Sequence, residues 1–196
     1  MSARLDLLVT DDQCRALLAA SGWTELDDLS GSRWLIASTA VHEAGHAVAA
    51  IKLGGRFDRI EMNANDATLA RVRAVSLPTS VFWINHAAGE IAANMFSDDP
   101  GWWDEDTLWD WLGDFVPEHY DDPDSDCTRF LSHVPKRANH DPEHDDFDFD
   151  WYAALRMWLE AEQFVLPLRG DIEKVARLVL STNADVSYGA VLEALA

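Results

Sequence analysis

The distribution of apolar residues predicts helices over most of the chain. Apolar positions recur at steps of three and four, a spacing that places them on one face of a helix. Short segments rich in Gly, Pro, Asn or Asp separate these stretches. The predicted helices cover residues 11–21, 32–53, 80–96, 104–115, 125–134, 151–166 and 171–180, followed by a last helix capped by Ser187. The pattern therefore indicates a mainly α protein whose C-terminal helices form a bundle.

Two segments between the second and third predicted helices follow a different pattern. Apolar and polar residues alternate in 57–63 and 68–76, as is typical of strands with one buried face. A turn cluster at 63–66 separates the two segments. We therefore predict a small β-hairpin and a mainly α (α+β) fold. The edge of the hairpin would cover the helix before it, bind an extended peptide through backbone hydrogen bonds, or do both.

The length and composition predict one domain. A chain of 196 residues can bury one sizeable core but is short for two independent ones. We assign residues 1–196 to a single domain with an acidic, Trp-rich insertion at about 97–150. This insertion is expected to pack locally, and the alternatives are a lid over a cleft or a surface for a partner.

The charge and the cysteines restrict the function classes. The formal net charge is −20, which disfavours nucleic acid and anionic membranes as partners. No stretch is long and apolar enough to predict a membrane span or a signal peptide. The two cysteines form no C-x-x-C pair, and no phosphate-binding loop is present. We expect a reduced, cytoplasmic protein, and the sequence does not predict its oligomeric state.

The second predicted helix carries the pattern H-E-x-x-H at residues 42–46. His42 and His46 lie four residues apart, so both imidazoles can bind one metal ion from the same helix face. Glu43 is predicted to be the catalytic general base that acts on the attacking water. The face that carries the histidines continues as mostly apolar and is expected to be buried. Gly45 lowers helix propensity, which indicates close packing or space for the metal.

A catalytic zinc site needs a third protein ligand besides the two histidines. The residues that follow His46 do not supply a histidine at the spacing of the longer H-E-x-x-H-x-x-G-x-x-H pattern. The third ligand must therefore come from a distant segment. His86, on the third predicted helix, is expected to be structural.

The segment Thr39-Ala-Val-His-Glu-Ala-Gly-His-Ala47 resembles the active-site helix of the FtsH-type ATP-dependent zinc metalloproteases. The hairpin after it and the segment 86–92 are similar to that family more weakly. Ala93 and Asn94 depart from the family pattern, because two glutamates usually stand there. The resemblance implies a helical zincin-like peptidase domain that binds Zn2+. The family's AAA+ ATPase module and membrane anchor have no counterpart in the sequence.

The same resemblance implies that the third ligand is an aspartate at the start of a helix. Asp126 fits best, since Ser125 precedes it and small or apolar residues hold the offsets that the family pattern requires. Asp104 is the alternative, and Glu105 makes its match poorer. Either aspartate would also be favoured at a helix N-terminus by the helix dipole alone.

These observations predict a zinc metalloendopeptidase that hydrolyses peptides or unfolded protein segments without ATP. His42, His46 and Asp126 are the predicted metal ligands. Two alternatives stay open. The first is a catalytically weak or inactive metallopeptidase-like module that regulates another protein by binding it. The second is a plain helical domain in which the H-E-x-x-H pattern arose by chance.

Overall fold

The computed structural model describes residues 8–21, 29–61, 70–96, 125–138, 148–182 and 184–196. Seven helices occur in this part: α1 (Asp11–Ser21), α2 (Leu29–Lys52), α3 (Phe82–Met95), α4 (Asp126–Leu131), α5 (Trp151–Val165), α6 (Arg169–Ser181) and α7 (Tyr188–Leu195). Short 3-10 turns at Thr79–Val81 and Leu166–Leu168 precede α3 and α6. The predicted mainly α fold is confirmed. The predicted helix 104–115 lies outside the described residues.

Helix α2 lies at the centre of the core. It packs against α3 and α6, with α1 and β2 (Arg71–Arg73) also in contact. Its small residues make this possible: a Cβ added at Gly45 would lie only 2.5 Å from the backbone oxygen of Ala88. The face that carries the histidines is buried, as predicted, and neighbours surround the second half of the helix on most of its other sides as well.

The start of α2 differs from the prediction, and a hydrogen-bonded motif fixes its end. The predicted start at residue 32 was wrong, because the helix includes Leu29 and Ser32, which is 1% exposed, lies inside it. At the other end, Gly54 adopts a positive φ of 77°. The Gly55 N–H donates to the Ala50 oxygen at 2.8 Å, and the Gly54 N–H donates to the Ile51 oxygen at 3.0 Å. These two bonds form a Schellman motif, which ends the helix at Lys52, one residue before the predicted end at 53.

The predicted hairpin is present and belongs to a three-stranded antiparallel sheet. Its strands are β1 (Arg59–Glu61), β2 and β3 (Val186–Ser187), in the order β2-β1-β3. Ile60 pairs with Val72 on one side and with Val186 on the other. Strand β3 was not predicted, because two residues are too few to show an alternating pattern. In the order β2-β1-β3, strand β2 forms one edge of the sheet that the described residues build.

The C-terminal helices close the core behind α2 and α3. Side-chain caps fix two of their N-termini: Asp150 accepts from the Ala153 N–H, and Ser187 accepts from the Ala190 N–H. The start of α6 is tied to the end of α3, since Arg169 donates from Nη1 to the Met95 oxygen at 2.8 Å. This arrangement holds α3 firmly against the central helix.

Candidate metal centre

Helix α2 presents His42 and His46 to the same point in space. The two Nε2 atoms are 3.0 Å apart, and the ring planes are inclined at 77°. The side chain of His46 is 8% exposed, whereas that of His42 is 24% exposed. The predicted helical spacing therefore produces two converging imidazoles at the boundary between the core and an open space.

Helix α4 brings Asp126 to the same point from a distance of 84 residues in sequence. Ser125 is the N-cap, and its Oγ accepts from the Thr128 N–H at 3.1 Å, as the helix-start pattern predicted. Oδ2 of Asp126 lies 2.9 Å from Nε2 of His46 and 3.2 Å from Nε2 of His42. Among the described residues, this is the one group of three His, Cys, Asp or Glu side chains placed to hold a metal ion. Asp104 lies outside these residues.

The hydrogen bonding of His46 indicates that the three converging side chains can bind a cation. Nδ1 of His46 lies 2.7 Å from the backbone oxygen of Asn85, which can only accept. Nδ1 therefore carries a proton, and in the neutral imidazole Nε2 presents a lone pair. That lone pair faces another imidazole nitrogen and a carboxylate oxygen. Three electron-rich atoms at hydrogen-bond distance from one another favour a cation between them.

The dimensions of the group fit a zinc ion. In a tetrahedral site with bonds of about 2.0–2.1 Å, neighbouring ligand atoms are about 3.3 Å apart. The three separations observed here, 2.9, 3.0 and 3.2 Å, are close to that value. Gly89 keeps the adjoining space open, because a Cβ added there would lie 2.6 Å from Nε2 of His42 and closer still to Nε2 of His46. Two histidines and a carboxylate are also a donor set that zinc enzymes use. The assignment of these three residues as ligands stays a prediction.

Helix α3 contacts each of the three candidate ligands. Besides the bond from His46 to Asn85, Oε2 of Glu90 lies 3.8 Å from Nδ1 of His42. Nδ1 of His86 lies 3.6 Å from Oδ1 of Asp126. The hydrogen bond from His46 to Asn85 is of the kind that orients metal ligands in other proteins.

His86 faces Asp126 and lines the cavity described below. It is not one of the three candidate ligands, and the expectation that it is structural stays a prediction. The signal that could have found it is the spacing of His86 and Glu90, four residues apart on one helix face.

The charges of the group are strongly coupled. Burial lowers the pKa of His46, but the charge and hydrogen bond of Asp126 outweigh it and raise that pKa to about 9. Without a metal ion, His46 therefore carries a second proton on Nε2 at neutral pH, and a metal ion would have to displace that proton to bind there. Burial alone would raise the pKa of Asp126, yet the neighbouring His46 and His42 hold it well below its usual range. Asp126 is therefore an ionised carboxylate at neutral pH, as a metal ligand must be.

Glu43 lies beside the candidate ligands and against the sheet. It is 8% exposed, and its Oε2 accepts from the Val72 N–H at 2.7 Å. Burial raises the pKa of Glu43, and the neighbouring histidines oppose that effect. The bond to Val72 also shows how β2 is oriented. The Val72 N–H points away from β1 toward α2, so the outer edge of the strand faces the candidate site.

A cavity of about 740 Å³ opens onto these residues. Four parts of the chain line it: α2 through His42, Glu43 and His46, residues 70–75 including β2, the first turns of α3, and the start of α4. The size is within the range of ligand-binding clefts. One wall of the cavity is thus a strand edge, and the predicted catalytic residue lies directly beneath it.

The comparison with protein families agrees with the local chemistry. Residues 23–95 match the family model Peptidase M50B-like. The matched region contains α2, the hairpin and α3, and it ends before Asp126. No curated protein and no solved structure matches the chain. The match supports a metallopeptidase-like region in general and does not support the FtsH type in particular.

The remaining predictions concern the location, the partners and the domain organisation of the protein. Within the described residues, no helix combines the length and the apolar character that crossing a membrane requires. The cytoplasmic location, the absence of nucleic-acid and membrane partners, and the single-domain assignment stay predictions.

Proposed function

We propose that this protein is a zinc-dependent metallopeptidase that hydrolyses peptide bonds in peptides or unfolded protein segments. The observation that carries the proposal is the convergence of His42, His46 and Asp126 in a cavity that also contains Glu43. The resemblance of the HEAGH helix to the FtsH-type enzymes supports the choice of an aspartate as third ligand. The Peptidase M50B-like match supports the peptidase class.

His42, His46 and Asp126 would hold the zinc ion. A bound zinc ion supplies Lewis-acid chemistry, since it lowers the pKa of water and polarises a carbonyl group. Glu43 is the group that moves protons. Because its Oε2 is held by the Val72 N–H, Oε1 is the oxygen that takes a proton from the attacking water. Its raised pKa, caused by burial, favours that proton uptake and the later transfer to the leaving amine.

Strand β2 supports an extended peptide as the substrate. Its outer edge faces the cavity and pairs with no other strand among the described residues. The Val72 N–H on this edge binds Glu43, and the other backbone groups of the edge can bind an added strand. A folded domain keeps most of its backbone groups in its own hydrogen bonds, whereas a peptide or an unfolded segment can offer them to β2. The substrate would then lie along β2, with a peptide bond above Glu43.

The zinc content of the purified protein tests the metal assignment. We expect about one zinc per chain. His42→Ala and Asp126→Ala should each lower the zinc content strongly, and Asp104→Ala should not. Metal well below one equivalent in the wild type, unchanged by His42→Ala, would contradict the proposal. Loss of zinc on Asp104→Ala but not on Asp126→Ala would transfer the third ligand to Asp104.

Peptide cleavage by Glu43→Gln tests the catalytic assignment. We expect this variant to keep its zinc and to lose at least about 100-fold in kcat, because the amide cannot act as a base. Glu162→Gln is the matched control, since Glu162 is also 8% exposed but lies on α5 outside the cavity lining. Unchanged cleavage in Glu43→Gln would rule out the general-base role. A zinc-loaded wild type that cleaves no peptide would favour the regulatory binding module instead.

A further inference from the structure

The cavity reverses the charge balance of the chain. Asp and Glu outnumber Lys and Arg by 35 to 15 in the sequence. Among the described residues, however, three arginines line the cavity: Arg71, Arg73 and Arg129. Two carboxylates line it, Glu43 and Asp126, and both are assigned to the reaction centre. Outside the reaction centre, the charged side chains among the described residues that line the cavity are therefore all arginines, and a substrate in the cavity would lie beside them.

The pairing of the strand residues singles out Arg71. Glu61 on β1 stands directly opposite Arg71 in the register, so the two side chains share one face of the sheet. Both oxygens of Glu61 are already engaged, however. Nη2 of Arg59 donates to Oε1, and Nε of Arg73 donates to Oε2.

The two arginines bound to Glu61 also hold its pKa below the usual range, the bond from Arg73 most strongly. Within the described part of the chain, Arg71 has no ion pair of its own. An unpaired cation that lines a cavity of an acidic protein is available to a ligand.

We propose that Arg71 selects substrates with an acidic side chain close to the scissile bond. The proposal rests on the proposed peptidase function and names the substrate class. A peptide that pairs with the outer edge of β2 adds a strand to the sheet. Side chains on neighbouring strands then stand in pairs, with Cβ atoms about 4.5–5.5 Å apart, and opposite charges in such pairs attract. Because Val72 binds Glu43 and Arg71 is its neighbour, the acidic side chain lies within about two residues of the bond that is cut.

Fluorogenic peptides that carry Glu, Gln or Lys at one position at a time test this proposal. In the zinc-loaded wild type, we expect kcat/KM to be about fivefold higher for Glu than for Gln at one position near the cleavage site. The difference should appear mainly in KM and should shrink as salt screens the charges. Arg71→Gln should abolish the Glu preference, and Arg71→Glu should favour the Lys peptide.

Arg156→Gln is the charge-matched control, because Arg156 is exposed on α5 and does not line the cavity. It should keep the preference of the wild type. A Glu-to-Gln ratio of one in the wild type, or an equal ratio in the wild type and Arg71→Gln, would overturn the proposal. Cleavage of the Gln peptide would still support the peptidase function in either case.

A binding measurement separates the two proposals if no peptide is cleaved. Fluorescein-labelled Glu and Gln peptides are titrated with zinc-loaded Glu43→Gln protein, alone and combined with Arg71→Gln. Tighter binding of the Glu peptide that Arg71→Gln removes supports the role of Arg71 without any turnover. Equal binding of both peptides, or a preference that Arg71→Gln leaves intact, contradicts it.

Discussion

Individual residues of the candidate site differ in how visible they are in the sequence. His42, Glu43 and His46 are recognisable because one helix turn relates them, so local spacing is sufficient. Asp126 depends on a contact across 84 residues and was reached only through a family resemblance. His86 and Glu90 were not connected with the candidate ligands: their spacing of four residues on α3 is a local signal, but their contacts with Asp126 and His42 depend on the tertiary fold. Site residues on one helix can thus be predicted from their spacing, whereas contacts between helices require the tertiary fold or a known family.

Gly89 is the residue whose substitution reports most directly on the metal. In Gly89→Ala, the new Cβ would lie 2.6 Å from Nε2 of His42 and closer to Nε2 of His46. We expect zinc to fall from about one per chain to well below that, because the methyl group occupies the space beside the ligand atoms. Alanine also favours the helix by about 1 kcal/mol over glycine, so the effect on metal should exceed any effect on folding. Elemental analysis and circular dichroism measure the two quantities separately.

Gly170→Ala is the matched control for this substitution. Gly170 lies in α6, and a Cβ added there meets nothing within 4 Å. This variant should keep its zinc and its fold. If Gly89→Ala keeps a full equivalent of zinc as well, the ion does not lie between the three candidate ligands.

At the scale of elements, the sequence predicted which helices exist better than where they begin. The helix at 32–53 was expected from its pattern, but α2 spans Leu29–Lys52. Several residue types favoured at helix N-termini (Asp, Ser and Gly) follow one another at 27–32, so the local pattern does not single out one start. The two-residue strand β3 was missed, since its pairing with β1 spans more than a hundred residues and requires the tertiary fold. The Schellman motif at Gly54 was predictable, because a glycine after an apolar helix is a local signal.

The contact between α2 and α3 determines the geometry of the whole site. A Cβ added at Gly45 would lie 2.5 Å from the Ala88 oxygen and 2.6 Å from the Ala92 Cβ. Backbone atoms of α3 cannot move aside as a flexible side chain can, so Gly45→Ala must push the two helices apart. We expect a loss of about 1–3 kcal/mol in the free energy of unfolding, measured by urea denaturation in the presence of a chelator.

The chelator separates the effect on packing from any effect on metal binding, because the wild type and Gly45→Ala are then compared without zinc. Gly170→Ala again serves as the control and should be as stable as the wild type or slightly more stable. An unfolding free energy for Gly45→Ala equal to that of the wild type would mean that α2 and α3 are not in the close contact described here.

At the scale of the whole molecule, net charge opposes folding while single ion pairs support it. The formal charge of −20 implies mutual repulsion among the carboxylates. Individual pairs, such as Lys52 with Asp171 at 2.7 Å, act in the opposite direction. Exposed pairs of this kind contribute about 0–1 kcal/mol each. Because acidic residues exceed basic ones by 20, the repulsion should outweigh the pairs.

This balance predicts that stability rises with salt. The Debye length falls from about 30 Å at 0.01 M to about 8 Å at 0.15 M, so added salt screens the long-range repulsion more than the close pairs. We expect Tm to increase by several degrees between low and moderate KCl, measured by thermal unfolding. A neutral solute at equal osmolality is the control, since exclusion of solute from the surface also stabilises folded proteins. A Tm that does not change with ionic strength would show that the acidic charges are already compensated locally. The 20 unmatched carboxylates would then have to lie far apart or be neutralised by bound cations.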